Sequence, residues 1–205
     1  MTRARTLLVW GALAVVVCLP ILIAAQSPLL AWRDPVYIIA GFAGIVAMAI
    51  LLLQPLLAGA ELPGLRPRQS RAVHRVAGAV LVILVALHVG ALWVTSPPDV
   101  VDALLFTSPT PFSAWGVIAM WAVFLSAGLA IFRHLGRLAP LTWRWSHRAL
   151  AAVIVVGSVV HALLIEGTMG EVSKWALCAL VVLAALRVLP APWLARIQRR
   201  MRAKG

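Results

Sequence analysis

The sequence contains few cysteines and few acidic residues, and each shortage excludes a class of protein. Its 205 residues include only two cysteines, Cys18 and Cys178. Both lie inside apolar runs, where a free cysteine behaves as a small hydrophobic residue, so we expect no disulfide framework. A lipid anchor at Cys18 is not expected either, because the three valines directly before it are larger than the residues that precede a lipidated cysteine.

Acidic side chains number six, against 18 lysines and arginines, and the formal net charge is +12. Such an excess of positive charge indicates a nucleic-acid partner when the basic residues form one patch. Here they recur at alternate loops and at both tails, and the loops between them hold only Arg33 and Lys174 beside five of the six acidic residues. We therefore predict no nucleic-acid binding.

Long hydrophobic runs dominate the chain, of which 63% is apolar, whereas a soluble domain is about half apolar. A membrane span needs about 20 apolar residues. Six stretches qualify: 7–25, 36–57, 76–94, 114–132, 149–165 and 175–189. Each must satisfy its own backbone hydrogen bonds in lipid by forming an α-helix. The sequence therefore predicts an all-α fold, a six-helix transmembrane bundle without a soluble catalytic domain.

The distribution of lysine and arginine orients this bundle. Short cytoplasmic loops retain these residues, which places both termini in the cytoplasm (N-in/C-in) of a multi-pass protein of the cell inner membrane. We expect a first helix with its periplasmic loop at 1–35, a core at 36–190, and a basic cytoplasmic tail at 191–205 that rests on membrane lipid. The first span resembles a signal peptide, but its apolar core of about 19 residues exceeds the usual ~7–15, so we expect it to be retained; cleavage would leave five spans.

Prolines delimit the predicted helices. Pro35 marks the start of the second helix. Four prolines between residues 95 and 112 prevent that segment from forming one helix. We therefore expect residues 99–106 to form a short helix at the periplasmic surface.

Four of the five histidines lie in two spans, His74 and His88 in the third and His147 and His161 in the fifth. Fourteen residues separate the two histidines of each span, which is about 3.9 helical turns, so both share nearly one face and lie roughly 21 Å apart along it. The two spans run in the same direction, so His74 is level with His147 and His88 with His161. We interpret this shared histidine spacing as a similarity of the third and fifth spans alone.

Two matched histidine pairs suit haem, whose iron takes an axial ligand on each face. With both axial positions filled by imidazole, the iron carries electrons and binds no substrate. The sequence has no Cys-x-x-Cys-His motif, so we expect two non-covalent b-type haems that form an electron path across the bilayer. Gly78 and Gly157 are interpreted as leaving room for the macrocycle. Four arginines near the cytoplasmic pair are predicted to neutralise haem propionates: Arg71, Arg75, Arg144 and Arg148.

Other interpretations of the histidines are open. A membrane histidine can serve packing alone, although ionisable groups at that depth are usually functional. A proton relay would need carboxylates beside the histidines, and here acidic residues occur only near span boundaries. Zinc is disfavoured because ligands about 20 Å apart on one helix cannot share an ion. His134 has no partner and is interpreted as a loop residue. A cofactor-free scaffold or transporter subunit is the alternative outside redox chemistry.

Two stretches carry a resemblance to a known family: His74-Arg-Val-Ala-Gly78 through His88, and Trp143-Arg-Trp-Ser-His147-Arg-Ala-Leu through His161. They resemble the ferric reductase-like transmembrane domain over residues 36–190. The resemblance implies an oxidoreductase or an electron-transfer subunit of one. It also implies a six-helix bundle with two b-type haems, ligated by the third and fifth helices through the same four histidines.

The sequence lacks the Gly-rich dinucleotide fingerprint after a strand, which many relatives carry in an added FAD and NAD(P)H domain. We therefore expect electrons to come from a separate cytoplasmic flavin reductase or from quinol, and to leave to ferric iron or a periplasmic redox protein. FMN bound at the cytoplasmic loops is kept as an open alternative, although no motif supports it. The haem subunit of the bacterial methionine sulfoxide reductase system is the close alternative; His74 favours the generic type, because that subunit does not always keep the corresponding histidine.

Overall fold

The structure, a computed structural model, describes residues 3–136 and 138–190, so the predicted tail at 191–205 lies outside the described residues. Within these residues the chain is helical and contains no strand. A single 3-10 turn covers Pro28–Leu30. The α-helices are α1 Arg3–Ala25, α2 Pro35–Ala58, α3 Pro67–Thr95, α4 Pro97–Leu104, α5 Pro111–His134, α6 Pro140–Leu164 and α7 Glu171–Val188.

Proline is the first residue of five of these helices: α2, α3, α4, α5 and α6. The first helical position tolerates proline because its backbone nitrogen needs no partner there and the ring fixes a helical φ. The start of α2 is also capped by Asp34, whose carboxylate accepts a hydrogen bond of 2.7 Å from the Val36 N–H. The predicted helix start at Pro35 is confirmed, and the short helix predicted at 99–106 is present two residues earlier, as α4. Its place at the periplasmic surface stays a prediction. His134, predicted to lie in a loop, is instead the last residue of α5.

Five helices of the described chain are long and apolar enough to cross a membrane, namely α1, α2, α3, α5 and α6. Helix α7 is different because its 18 residues include three charged side chains, Glu171, Lys174 and Arg187. The prediction of an all-helical, multi-pass membrane chain is confirmed. A sixth span and the N-in/C-in orientation stay predictions.

Two helical hairpins form the centre of the bundle. Helix α2 packs along α3, and α5 packs along α6, whereas α3 and α6 make few contacts with each other. Helix α7 lies against α2 and α6, and α1 lies against α2 and α7. Large apolar side chains cover the outer faces; Leu8 is 73% and Leu183 61% exposed. Such faces suit lipid, whose tails are as apolar as leucine.

Polar contacts tie the helix ends together on the side where α2 ends and α3 begins. The buried Ser70 hydroxyl donates to the Leu57 carbonyl over 2.7 Å. The Arg187 guanidinium, near the end of α7, lies 2.9 Å from the Glu61 carboxylate. These contacts fix the ends of α2, α3 and α7 relative to each other.

Candidate functional site

The histidines of α3 and α6 meet in two pairs. The ring centroids of His74 and His147 lie 6.3 Å apart, and those of His88 and His161 lie 6.4 Å apart. We call His74 and His147 the inner pair and His88 and His161 the outer pair, after the predicted orientation. The structure therefore brings together the histidines that were predicted to lie at the same depth. Their role as iron ligands stays a prediction.

The two rings of each pair stand nearly perpendicular to each other, at 87° in the inner pair and 84° in the outer pair. The inner histidines are each the eighth residue of a helix that begins with proline. Their matched depth therefore follows from two helix starts that are fixed in the same way.

Backbone carbonyls orient the outer pair. Nδ1 of His88 lies 2.7 Å from the Ala40 carbonyl oxygen of α2, and Nδ1 of His161 lies 2.9 Å from the Phe112 carbonyl oxygen of α5. A carbonyl only accepts hydrogen bonds, so Nδ1 must carry the proton and Nε2 keeps its lone pair. Ligating histidines are oriented in this manner, with the other ring nitrogen donating to a carbonyl or carboxylate.

Two glycines make room for these rings. A Cβ atom on Gly44 would lie 3.1 Å from Nδ1 of His88, and a Cβ atom on Gly116 would lie only 2.6 Å from Nδ1 of His161. Gly44 lies four residues after Ala40, and Gly116 lies four residues after Phe112, and these are the two residues whose carbonyls the rings contact. Any side chain at Gly116 would push the imidazole off its hydrogen bond. Sequence reasoning did not identify either glycine.

The inner pair is held by different groups. Nδ1 of His74 lies 3.1 Å from the Gln54 carbonyl oxygen, and Nδ1 of His147 lies 3.0 Å from the Ser126 hydroxyl. The Trp143 indole stacks on the His147 ring with centroids 4.7 Å apart and an interplanar angle of 18°. Nε2 of His74 is therefore the nitrogen left free to bind a metal.

The contacts of the two hairpins repeat along the chain. The histidines of α6 follow those of α3 by 73 residues, and the groups that orient them recur at an offset of 72. The equivalent positions are Ala40 and Phe112, Gly44 and Gly116, and Gln54 and Ser126. The likeness noted between the third and fifth spans therefore extends to α2 and α5. Both glycines could have been found by comparing the sequence with itself at an offset of 72 residues.

A cavity of about 520 Å³ surrounds the outer pair, within the ~300–1,000 Å³ usual for cofactor sites. Most of its walls come from α2, α3, α5 and α6, with Met48 and Val123 among the apolar side chains, and α4 and α7 also contribute. The exposed residues Arg33, Asp99 and Glu166 also line it. We call this space the outer cavity.

The remaining predicted site residues lie in varied surroundings. Gly78 faces the Gln54 side-chain amide, whose atoms would lie 3.9 Å from an added Cβ; Nε2 of that amide is buried without a hydrogen-bond partner among the described atoms. Gly157 lies where α6 crosses α5, so that an added Cβ would be 3.0 Å from the Trp115 carbonyl oxygen. Of the four arginines near the inner pair, Arg148 is half-buried and the other three are exposed: Arg71, Arg75 and Arg144.

The geometry of each pair fits one metal ion between two imidazoles. A metal bound about 2.0–2.1 Å from each nitrogen leaves the two ring centroids roughly 6 Å apart. Two ligands do not complete a bare ion, and the described side chains contain no group of three or more His, Cys, Asp or Glu that could hold one. The pairs are therefore compatible with a metal whose other ligands come from a macrocycle. The gap between α3 and α6 and the unpartnered Gln54 amide both fit such a group.

Comparison with known proteins places the chain in a family. No curated protein and no solved structure matches it. The family described as the ferric reductase like transmembrane component matches residues 40–158, more than half of the chain. The match begins at the carbonyl that orients His88 and includes three of the four paired histidines. The chain therefore belongs to the ferric reductase-like transmembrane component family.

Proposed function

We propose that the protein carries electrons across the cell inner membrane through two b-type haems, one held by the inner pair and one by the outer pair. The observation that carries this proposal is the spacing of 6.3 and 6.4 Å between the rings of the two pairs. Membership of the ferric reductase-like family supports electron transfer in a membrane. The described chain then uses α3 and α6 as ligand helices and α2 and α5 as the helices that orient the ligands.

When bound, haem would supply an iron that accepts and releases one electron, and the inner and outer pairs would hold it. The protein keeps Nε2 of His88 and of His161 available by holding Nδ1 at a carbonyl oxygen. We propose that Arg148, half-buried one residue after His147, neutralises a propionate of the inner haem, with the exposed arginines beside it contributing less because solvent and salt screen them.

The proposal also names a class of electron donor and a class of electron acceptor. The described residues contain no strand, so they hold no strand–turn–helix dinucleotide fingerprint. We propose that a separate cytoplasmic flavin reductase, or quinol, reduces the inner haem, and that ferric iron or a periplasmic redox protein receives the electron at the outer cavity. This path requires the N-in/C-in arrangement and places the ends of α3 and α6 on the periplasmic side.

Haem content tests the proposal directly. Acid acetone extraction of the purified protein should release about two haems per chain, because each needs two axial ligands and four histidines are paired. The reduced-minus-oxidised absorbance spectrum should show six-coordinate b-type haem. A colourless protein, purified from cells supplied with haem, would contradict the proposal and favour the cofactor-free alternative.

The donor is tested with the same preparation. NADPH alone should leave the haem absorbance oxidised, whereas NADPH with a flavin reductase, or a quinol, should reduce it. Rapid reduction by NADPH alone would contradict the proposal of a separate donor.

A further inference from the structure

Lys174 is the one charged residue that the structure buries among the side chains it describes, with an exposed fraction of 5%. It lies in the first turn of α7 and lines the outer cavity together with His88 and His161. Its ammonium nitrogen donates to the Ile165 carbonyl oxygen over 2.8 Å and to the Glu171 carboxylate over 2.7 Å. The side chain therefore brings a positive charge to the wall of the cavity.

These two contacts do not fully compensate a buried cation. The Glu171 side chain is 67% exposed, so its charge is weakened by solvent. A backbone carbonyl supplies only a partial charge, and an ammonium group has three donors, of which two are used here. A buried charge is costly unless its pairing is completed by further hydrogen bonds. Lys174 thus retains the capacity to bind another anionic group.

A lysine at this position of α7 does not stabilise the helix itself. The N-terminal end of a helix carries partial positive charge, so a lysine in the first turn is repelled by the macrodipole. Both the helix end and the ammonium therefore attract an anion to this wall of the outer cavity. The other charged residues that line the cavity are exposed: Arg33, Asp99, Asp102 and Glu166.

We propose that Lys174 binds a carboxylate of the macrocycle held by His88 and His161, and by its charge raises the midpoint potential of that centre. This inference rests on the proposed function, since it needs a porphyrin in the outer cavity. An ammonium beside a propionate holds the porphyrin in one rotational position between α3 and α6. The same positive charge stabilises the reduced iron relative to the oxidised iron, because reduction adds one negative charge near it.

The test compares Lys174→Met with Lys174→Arg in the purified protein with its haem bound. Haem per chain is measured by extraction, and the midpoint potentials of the two centres by titration followed in the absorbance spectrum. Lys174→Met should either lower the midpoint potential of the outer haem or release that haem. The expected decrease is about 59 mV, which corresponds to a tenfold change in the one-electron equilibrium constant. The inner haem should be unchanged. Lys174→Arg should keep both values near those of the parent. Arg187→Met is the matched control, because it removes one positive charge from the exposed, opposite end of α7.

Glu171→Gln separates this role from a structural one and remains informative if Lys174→Met does not fold. If Lys174 only forms an ion pair with Glu171, both substitutions should damage the protein alike. By our proposal, Glu171→Gln keeps two haems and raises the outer midpoint, because it removes a competing negative charge. The inference is overturned if Lys174→Met keeps two haems and the parental outer midpoint, or if Glu171→Gln releases the outer haem. Absence of haem from the parent protein would instead overturn the proposed function.

Discussion

At the scale of single residues, the outer pair depends on two positions that have no side chain. A helix carbonyl already accepts a bond from the N–H four residues later, and here the Ala40 and Phe112 carbonyls accept from an imidazole as well. The ring can approach only if the residue four positions later is small, which Gly44 and Gly116 satisfy. Sequence reasoning selected residues for their chemistry, so it found the histidines and missed the glycines.

Replacing Gly116 by alanine should therefore disturb the outer centre. The added Cβ would lie 2.6 Å from Nδ1 of His161, and overpacking of this kind costs about 1–3 kcal/mol. We expect a lower melting temperature and an altered spectrum of one haem out of two. Gly44→Ala should do less, since its closest approach is 3.1 Å. Gly128→Ala is the matched control in the same helix as Gly116, with no atom within 4 Å of an added Cβ; equal damage in this control would contradict this account.

The ligand assignment is tested by removing one histidine from each pair. His161→Ala should release the outer haem or leave it five-coordinate, while the inner haem stays reducible from the cytoplasmic side. Transfer to a periplasmic acceptor should then fall by well over tenfold, because the gap crosses about half of an apolar core ~30 Å thick. His147→Ala should do the reverse and leave the outer haem in place without a route from the donor. Two normal haems and full transfer in His161→Ala would show that the ligands are wrong.

At the scale of elements, the repeated unit is a hairpin of one helix that carries histidines and one helix that orients them. The α2–α3 hairpin and the α5–α6 hairpin contribute equivalent halves to both pairs, so each pair is shared between them. The hairpins differ at one orienting position, where the backbone carbonyl of Gln54 contacts His74 and the side-chain hydroxyl of Ser126 contacts His147.

Ser126→Ala should accordingly weaken only the inner centre. The substitution removes the hydroxyl that lies 3.0 Å from Nδ1 of His147, and loss of such a partner typically lowers metal affinity about 10–100-fold. Haem retention on dilution and the two midpoint potentials report the effect. Ser126→Thr keeps a hydroxyl and should retain the parental values. Loss of the outer haem in Ser126→Ala would contradict an effect confined to His147.

Much of this element structure could be predicted from the sequence, and the limits have physical causes. Apolar length identified α1, α2, α3, α5 and α6 because lipid leaves a helix no other way to pair its backbone. Proline placed the start of α2, but His134 was assigned to a loop because a helix can continue past its apolar run into basic residues. Lys174 was interpreted as a loop charge, since nothing in its immediate sequence shows that the fold buries it beside the outer cavity.

At the scale of the whole molecule, the arrangement of α7 in the membrane decides the number of spans. The helix is apolar on most positions and packs against α2 and α6, yet it carries three charged residues near its ends. If α7 crosses the bilayer, Lys174 and Arg187 lie at opposite surfaces, and the chain has six spans. If α7 lies on one surface, the two ends share one compartment.

Reporter fusions distinguish these arrangements. Fusions near Asp99 and Gly170 should be periplasmic and a fusion near Ser70 cytoplasmic, because lysine and arginine are retained inside. A fusion at Leu189 should be cytoplasmic, opposite to Gly170, if α7 crosses the membrane. The same compartment for Gly170 and Leu189 would remove the sixth span, and a cytoplasmic Asp99 would invert the proposed direction of electron flow.

The few contacts between α3 and α6 also bear on the biogenesis of the protein. Helices in lipid gain little from burying apolar surface against each other, because the surrounding tails are equally apolar. A group that binds only the assembled hairpins stabilises the assembly by mass action, by an amount that grows with its free concentration. Membranes of cells starved of haem should therefore contain loosened, protease-sensitive chains, and haem supply would set the steady-state abundance of the protein.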